Sequence, residues 1–118
     1  MRNSIPIVLF LICNFACTQN KSKHITEVSQ KELDKVILVD VRTPKEFNEG
    51  HLENALNIDW LGDNFAKDFE KINKKETIYL YCKSGGRSAA ATKFLDSLGY
   101  ENIVDLKGGY SAWKGADN

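Results

Sequence analysis

The sequence lacks an excess of charge of either sign. Its 118 residues contain 16 lysines and arginines against 16 aspartates and glutamates, so the formal net charge at pH 7 is +0. A protein that binds nucleic acid through bulk electrostatics needs a basic surface that neutralises phosphates. A polybasic membrane-binding segment needs a cluster of lysines and arginines. The composition therefore predicts neither a nucleic-acid partner nor a charged membrane-binding surface.

Cysteine is scarce as well, since the chain has only three: Cys13, Cys17 and Cys82. Three cysteines are too few for a disulfide scaffold, and their spacing matches no zinc-binding pattern. Hydrophobic residues make up 42% of the chain, which is enough to build a core. The length lies in the usual range of a single domain, about 100–200 residues, so we expect one folded domain and a monomer.

A long apolar run is also missing, but a short one lies near the N terminus. Residues 5–13 carry no charge and follow Arg2. The run is shorter than the about 20 apolar residues that cross a bilayer. A basic start, a short apolar run and small residues after it are typical of a secretory signal peptide, which we predict over residues 1–16. A buried N-terminal helix or strand is the alternative.

Ala16 followed by Cys17 and a polar segment resembles the lipobox of bacterial lipoproteins. In that family the cysteine is lipidated and becomes the first residue of the mature chain. Asn14 stands where leucine is usual, which leaves plain cleavage or an uncleaved anchor as alternatives. The resemblance implies lipidation of Cys17, a flexible tether over residues 17–24, and an exported domain. That domain would be anchored to the cell envelope through the lipid alone and would face the periplasm.

From residue 25 onwards, patterns typical of strands and helices alternate along the chain. The apolar run over 36–41 does not alternate with polar residues, which indicates a strand buried on both faces, as in parallel sheets. The alternation predicts an α/β domain over 25–118, with a parallel-rich sheet covered by helices on both faces. Strands are predicted over 25–28, 36–41, 55–58, 77–82 and 103–106, and helices over 30–35, 44–49, 60–72, 89–98 and around Trp113.

Cys82 ends one of these strands and opens a glycine-rich loop that leads into a helix. Ligands bind at the carboxyl ends of strands in parallel α/β sheets, and a helix N terminus offers free N–H groups. Gly85 and Gly86 allow the backbone to curl around one point, and Arg87 adds a positive charge. Such a site favours a thiolate and binds an anion beside it. The loop therefore predicts a nucleophilic Cys82 that transfers a small anionic group, with a buried structural cysteine as the alternative.

The order strand, Cys82, four residues, Arg87 and helix resembles the active loop of rhodanese (thiosulfate sulfurtransferase) domains. Residues 40–47 together with 50–55 resemble the first signature of that family, and residues 106–113 resemble its C-terminal signature. The three segments stand in the order of the family. The resemblance implies a single rhodanese-like α/β domain, with a five-stranded parallel sheet flanked by helices on both faces.

The resemblance also implies a chemistry. Cys82 would take a sulfane sulfur from thiosulfate or a similar small anionic donor, hold it as a persulfide, and pass it to a thiol or cyanide acceptor. The loop N–H groups would cradle the persulfide, and Arg87 and Lys83 would bind the donor. Neither a metal nor an organic cofactor is implied. The implied binding residues are Lys83, Ser84, Gly85, Gly86, Arg87 and Ser88.

Two other functions are weighed against this one. Phosphatases built on the same fold place five residues between cysteine and arginine, whereas this loop has four, which suits a bound sulfur. The second is a non-enzymatic rhodanese-like module that carries sulfur or binds a partner in the cell envelope. The presence of both Cys82 and Arg87 counts against it.

Several further polar residues are predicted to have structural roles. The resemblance makes Asp40 and Arg42 an ion pair that orients neighbouring loops, and Glu46 is a further partner for Arg42. His51 is predicted to hydrogen-bond within a loop rather than to act as a base, because sulfur transfer from a thiolate needs none. His24 falls in the predicted tether and is expected to be inert.

Overall fold

The computed structural model of the protein describes residues 21–116. The predicted signal peptide over 1–16 and the predicted lipidation site Cys17 lie outside these residues. Between residues 21 and 116, no helix combines the length and apolar character needed to cross a membrane.

Five strands form one sheet in which every neighbouring pair is parallel, in the order β1-β5-β4-β2-β3. This arrangement confirms the predicted five-stranded parallel sheet. The strands are β1 (Lys21–His24), β2 (Ile37–Asp40), β3 (Leu56–Asn57), β4 (Thr77–Tyr81) and β5 (Asn102–Lys107). The helices are α1 (Gln30–Leu33), α2 (Pro44–Glu49), α3 (Phe65–Phe69), α4 (Gly86–Ser97) and α5 (Gly109–Gly115), with a 3-10 turn over Ile25–Glu27.

Helices cover both faces of the sheet, as β4 shows most directly. Because side chains alternate across a strand, Ile78 and Leu80 point to one face while Tyr79 and Tyr81 point to the other. The first face packs against apolar residues of α3 and α4, and the second against apolar residues of α1 and α5. All four strand residues are 5% exposed or less, which explains the continuous apolar pattern of this strand.

The structure corrects the prediction for the segment before residue 25. Residues 21–24 are not a flexible tether but the edge strand β1, which pairs in parallel with β5 from Val104 to Lys107. All four residues of β1 are exposed and polar or charged, so no hydrophobic alternation marks the strand in the sequence. His24 is not inert, because its Nδ1 accepts a hydrogen bond from the backbone N–H of Thr26 and caps the 3-10 turn.

Three other predicted elements differ from the structure. The predicted strand over 25–28 is instead the 3-10 turn over Ile25–Glu27 followed by Val28 as its C-cap. The predicted strand over 55–58 reduces to the two residues of β3. The helix predicted over 60–72 contains only α3. Trp60 lies in a turn and not in a helix. Its backbone N–H donates to the Val41 carbonyl at 3.1 Å, which anchors this turn to the end of β2.

Helix α4 begins earlier than predicted, at Gly86 rather than Ala89. Arg87 and Ser88 therefore lie in its first turn, directly after the carboxyl end of the central strand β4. This placement brings the loop after Cys82 and the N terminus of the longest helix among residues 21–116 to one point.

Candidate active site

Cys82 follows the last residue of β4 and lies beneath its loop, only 1% exposed. The backbone N–H of Gly85 donates a hydrogen bond to its sulfur at 3.0 Å. The hydroxyl oxygen of Ser88 lies 3.5 Å from the same atom. The loop thus surrounds the sulfur with hydrogen-bonding groups.

These groups set the acidity of the thiol. Burial on its own raises the pKa of Cys82, because it disfavours the thiolate. The Ser88 hydroxyl and the backbone N–H groups of Ser88, Gly85 and Ser84 outweigh burial, so the pKa of Cys82 lies below its ordinary value. Hydrogen bonds to the charged form are the cause of such a shift. Cys82 is consequently poised to be a nucleophile.

The loop reaches this shape through Gly85, whose φ is +127°. Side-chain-bearing residues rarely adopt that conformation. No atom lies within 4 Å of the position where a Cβ would stand, so the requirement for glycine comes from the backbone conformation and not from crowding.

Helix α5 holds the loop from behind. The N–H groups of Tyr110 and Ser111 donate to the carbonyls of Cys82 and Lys83, at 2.8 and 3.0 Å. Gly109 has a φ of +61°, and a Cβ on it would stand 2.7 Å from the Lys83 carbonyl oxygen. The segment that resembles the C-terminal family signature therefore positions the loop by backbone contact.

Arg87 is held by Glu46, for which the sequence predicts a different arginine as partner. Its Nη1 and Nη2 donate to the two carboxylate oxygens of Glu46 at 2.7 and 3.0 Å. The hydrogen bonds from Arg87 lower the pKa of Glu46 most, and hydrogen bonds from Thr43 lower it further. Together they outweigh burial, which raises the pKa, so that the pKa of Glu46 is lowered to about 2. The predicted pairing of Glu46 with Arg42 is wrong: Glu46 reaches the active loop because the capping box of α2 turns its side chain back toward Thr43.

The ion pair predicted between Asp40 and Arg42 is present and buried, with side-chain exposures of 0% and 4%. Arg42 Nη2 lies 2.7 Å from Asp40 Oδ2 and also donates to the Gly50 carbonyl at 2.6 Å. The guanidinium lies 4.2 Å from the centre of the Tyr110 ring. The pair therefore ties the end of β2 to the segment after α2 and to α5, around the active loop.

His51 has the loop role predicted for it. Its Nδ1 lies 2.8 Å from the Phe47 carbonyl oxygen, and its ring stacks on the Phe47 ring at 3.6 Å. Its side chain is exposed.

The loop residues differ in their access to solvent. Lys83, Ser84 and Gly86 are exposed, whereas Ser88 is fully buried. A cavity of about 210 Å³ opens beside the loop, between α2 and α5, and its lining includes Lys83, Glu49 and Lys114. Within residues 21–116, no group of three or more His, Cys, Asp or Glu side chains could hold a metal ion.

Sequence reasoning missed two features of the site. The contact of Glu46 with Arg87 spans 41 residues and has no local signal beyond the capping pattern Thr43-Pro44-Lys45-Glu46. The second is Asp105, which the strand prediction over 103–106 includes without any role and which is only 4% exposed in the structure. An acidic residue between Val104 and Leu106 is unusual in a buried strand, and that contrast was the available signal.

Comparison with known proteins agrees with this geometry. The family profile described as "Rhodanese-like domain" matches residues 25–116. The rhodanese-like domain-containing protein 17 of Arabidopsis thaliana is 36% identical, over 91% of this chain and 81% of its own length. Thiosulfate sulfurtransferase 16 (chloroplastic) of the same plant is 39% identical, over 64% of this chain and 71% of its own.

A solved structure is similar as well. The crystal structure of a rhodanese-like domain protein from Staphylococcus aureus superposes with a TM-score of 0.69 at 35% identity. The match covers 79% of this chain and 90% of the other.

Proposed function

The chain belongs to the rhodanese-like domain family, and from that premise we propose that it is a sulfurtransferase that carries a sulfane sulfur on Cys82. The observation that carries the proposal is the environment of the Cys82 sulfur. It receives the Gly85 N–H at 3.0 Å and lies beside the Ser88 hydroxyl, at the N terminus of α4. The same groups that favour a thiolate suit the terminal sulfur of a persulfide, which is also an anion.

In the first step the Cys82 thiolate attacks the outer sulfur of thiosulfate. A new sulfur–sulfur bond forms, the sulfur–sulfur bond of thiosulfate breaks, and sulfite leaves with the bonding electron pair. The loop N–H groups receive the charge on the transferred sulfur, which is electrostatic stabilisation of the developing anion. No external oxidant is required, because the sulfane sulfur arrives already oxidised.

In the second step a thiophilic acceptor attacks the outer sulfur of the Cys82 persulfide. With cyanide, the carbon–sulfur bond of thiocyanate forms and the Cys82 thiolate leaves, which restores the starting state. The exposed Lys83 side chain and the unpaired N–H groups of Arg87 are placed to attract an anionic donor at the loop. The cavity beside Lys83 would hold the part of an acceptor that does not react.

Relatives support the class of reaction. One similar plant protein is named a thiosulfate sulfurtransferase, and a similar protein of Allochromatium vinosum, 34% identical, is named a sulfurtransferase. For this chain, thiosulfate as donor and a thiol as acceptor are part of the proposal.

The proposal includes an exported location, with Cys17 lipidated and the domain attached to the cell envelope. Because β1 begins at Lys21, only residues 18–20 would separate the lipidated cysteine from the folded domain. Palmitate labelling of cells, with and without globomycin, tests this. Labelled wild-type protein with unlabelled Cys17→Ser supports an anchor, and an unlabelled wild-type protein overturns it.

The enzymatic proposal is tested by thiosulfate:cyanide turnover together with intact-protein mass spectrometry. Thiosulfate should add the mass of one sulfur atom to the wild type, and cyanide should remove it. Cys82→Ser should lose both the mass gain and turnover, whereas the matched control Cys17→Ser should keep both. Full turnover in Cys82→Ser would refute the mechanism. A mass gain without turnover would favour a sulfur carrier.

A further inference from the structure

The cavity beside the active loop carries more charge than sulfur transfer itself requires. Its volume is about 210 Å³, and α2, α5 and the residue after Cys82 contribute its lining. Five of the seven described residues that line it have a formal charge. The attack of a thiol on a persulfide uses neither a lysine nor a glutamate, so these charges bear on what the cavity binds.

Two of the five charges already have partners. The Arg42 guanidinium lies 2.7 Å from the buried Asp40 carboxylate, and the Glu46 carboxylate lies 2.7 Å from the Arg87 guanidinium. The other three lining charges form no ion pair with any residue between 21 and 116: Glu49, Lys83 and Lys114. These three are the charges that a ligand in the cavity would meet.

The ammonium group of Lys114 lies close to the cavity. Lys114 follows Tyr110 by four residues in α5, so the two side chains share one face of the helix. Its Nζ atom lies 5.9 Å from the centre of the Tyr110 ring, within the range of a cation–π contact. The Tyr110 ring itself lines the cavity. The ring therefore keeps the Lys114 ammonium where it can bind an anionic group of a ligand.

Glu49 brings the opposite charge from the other side of the cavity. It is the last residue of α2 and follows Glu46 by three residues, so the two side chains share one face of that helix. Glu46 is taken up by Arg87 of the active loop, which leaves Glu49 for a ligand. The cavity thus has a carboxylate on the α2 side and two ammonium groups on the side of α5 and the loop. This pattern is complementary to a molecule that carries both a carboxylate and an ammonium group.

The size and the position of the cavity restrict the ligand further. Pockets for drug-sized ligands have volumes of about 300–1,000 Å³, so this one suits a smaller molecule, of the size of an amino acid. Lys83 directly follows Cys82, and its carbonyl accepts a hydrogen bond from the Ser111 N–H at 3.0 Å. A ligand in the cavity therefore lies beside the residue that would carry the sulfur.

We propose that this cavity selects amino-acid thiols as sulfur acceptors, with Lys114 binding the carboxylate of the acceptor and Glu49 binding its ammonium group. The proposal rests on the proposed function, because an acceptor is needed only if Cys82 carries a sulfur. The acceptor thiol loses its proton to water, and its thiolate attacks the outer sulfur of the Cys82 persulfide. A new sulfur–sulfur bond forms, the bond to Cys82 Sγ breaks, and Cys82 leaves as the thiolate. The product is the persulfide of the amino-acid thiol.

The same charges distinguish the acceptor from the donor. Thiosulfate is a dianion without an ammonium group, so the unpaired carboxylate of Glu49 repels it. The donor is attracted to Lys83 and Arg87 at the loop, as proposed above, whereas an amino-acid thiol also satisfies Glu49. Lys114 and Glu49 are therefore residues for acceptor specificity, and the first step of the reaction does not depend on them.

The test measures sulfite release from thiosulfate by the full chain at about pH 7.5, where lysine and glutamate side chains are both charged. Three acceptors separate the two contacts: free cysteine, cysteamine, which lacks only the carboxylate, and 3-mercaptopropionate, which lacks only the ammonium group. Sulfite release reports all acceptors in the same way, and cyanide, which has neither group, is the reference. In the wild type, free cysteine should have a lower KM than either analogue.

Lys114→Met should raise the KM for free cysteine and for 3-mercaptopropionate by about twofold to fivefold, as expected for the loss of an exposed ion pair, and leave the KM for cysteamine unchanged. Glu49→Gln should raise the KM for free cysteine and for cysteamine, and leave 3-mercaptopropionate unchanged. Lys114→Arg keeps the charge and should keep the wild-type values. Lys93→Met makes the same change of charge on an exposed residue of α4 outside the cavity, and should alter none of them.

Equal KM values for free cysteine and cysteamine in the wild type, or a rise for all three acceptors in Lys114→Met, would overturn the proposal, while cyanide turnover would still support the proposed function. If cyanide turnover is absent, the proposed function fails and binding decides on the cavity. The probes are then S-methylcysteine, which cannot accept sulfur, and 2-(methylthio)ethylamine, which lacks its carboxylate, followed through the amide NMR signals of Lys83 and Ser111. Tighter binding of S-methylcysteine that is weakened in Lys114→Met supports recognition of an amino acid, and equal or absent binding overturns it.

Discussion

Arg87 and Glu46 form a two-pronged ion pair, with N–O distances of 2.7 and 3.0 Å, that joins the first turn of α4 to the first turn of α2. Both side chains are about one quarter exposed, at 24% and 26%. The pair holds the arginine of the active loop in place, and the Glu46 carboxylate also weakens the attraction of Arg87 for an anionic donor. Arg87 retains further N–H groups for a ligand, since a guanidinium has five.

The ion pair between Glu46 and Arg87 predicts how the free energy of unfolding depends on pH. The pKa of Glu46 is lowered to about 2, so its contribution is fully present above the ordinary glutamate pKa of 4.5 and is lost as the pH falls toward about 2. Glu46→Gln should be less stable than the wild type at neutral pH by about 1 kcal/mol, a value discounted for exposure. The difference should shrink between about pH 4.5 and about pH 2. Thermal unfolding across this range measures it.

Glu49→Gln is the matched control, because Glu49 lies on the same helix and is exposed. The thermal stability of Glu49→Gln should follow that of the wild type across the same pH range. An equal loss of stability on acidification in Glu46→Gln and in the wild type would contradict the role given to the pair.

Gly109 gives a second prediction. Gly109→Ala places a Cβ against the Lys83 carbonyl in a left-handed backbone conformation, so either the loop or α5 must move. We expect a loss of about 1–3 kcal/mol in the free energy of unfolding, together with slower alkylation of Cys82. Denaturant unfolding and alkylation rates measure the two effects. Gly115→Ala in the same helix, where a Cβ meets open space, should change neither. Equal behaviour of the two variants would argue against the close approach.

The buried ion pair between Asp40 and Arg42 gives a third prediction. Arg42→Met leaves the Asp40 carboxylate buried without its partner, which should cost about 3–5 kcal/mol of unfolding free energy. Lys71→Met is the control, since Lys71 pairs with Asp68 at 3.9 Å on an exposed surface. That change should cost at most about 0.5 kcal/mol. Denaturant titration measures both, and a cost below about 1 kcal/mol for Arg42→Met would contradict a tightly buried pair.

The sequence predicted the parts of the fold that carry local patterns. The apolar runs of β2 and β4 and the capping pattern of α2 are complete within a few residues, so their elements were found. Strand β1 was missed because all four residues from Lys21 to His24 are exposed, and only pairing with β5 defines it. Helix α3 was predicted too long because Leu61 fits the helical spacing, yet Leu61 is 65% exposed and lies in a turn.

The candidate site likewise has one part that local sequence patterns predict and another that depends on contacts between distant segments. Cys82 and its loop are contiguous in sequence, so they could be identified directly. The contact of Arg87 with Glu46 joins two segments that are 41 residues apart and that only the folded chain brings together. A sequence pattern holds no information on which of several acidic residues will meet a given arginine.

Gly85 gives the last prediction, on the acidity of Cys82. Its N–H donates to the sulfur at 3.0 Å only because the backbone has a φ of +127°, which alanine adopts with strain. Gly85→Ala should turn this N–H away and raise the pKa of Cys82, so that the midpoint of its alkylation moves to higher pH and the rate at neutral pH falls. Gly86→Ala is matched in position, but Gly86 has ordinary helical φ and open space around its Cβ, so the midpoint should stay. A shift of the same size in both variants would mean that loop crowding, and not the Gly85 hydrogen bond, sets the acidity. A shift in Gly85→Ala alone would assign part of the thiolate stabilisation to this one N–H group.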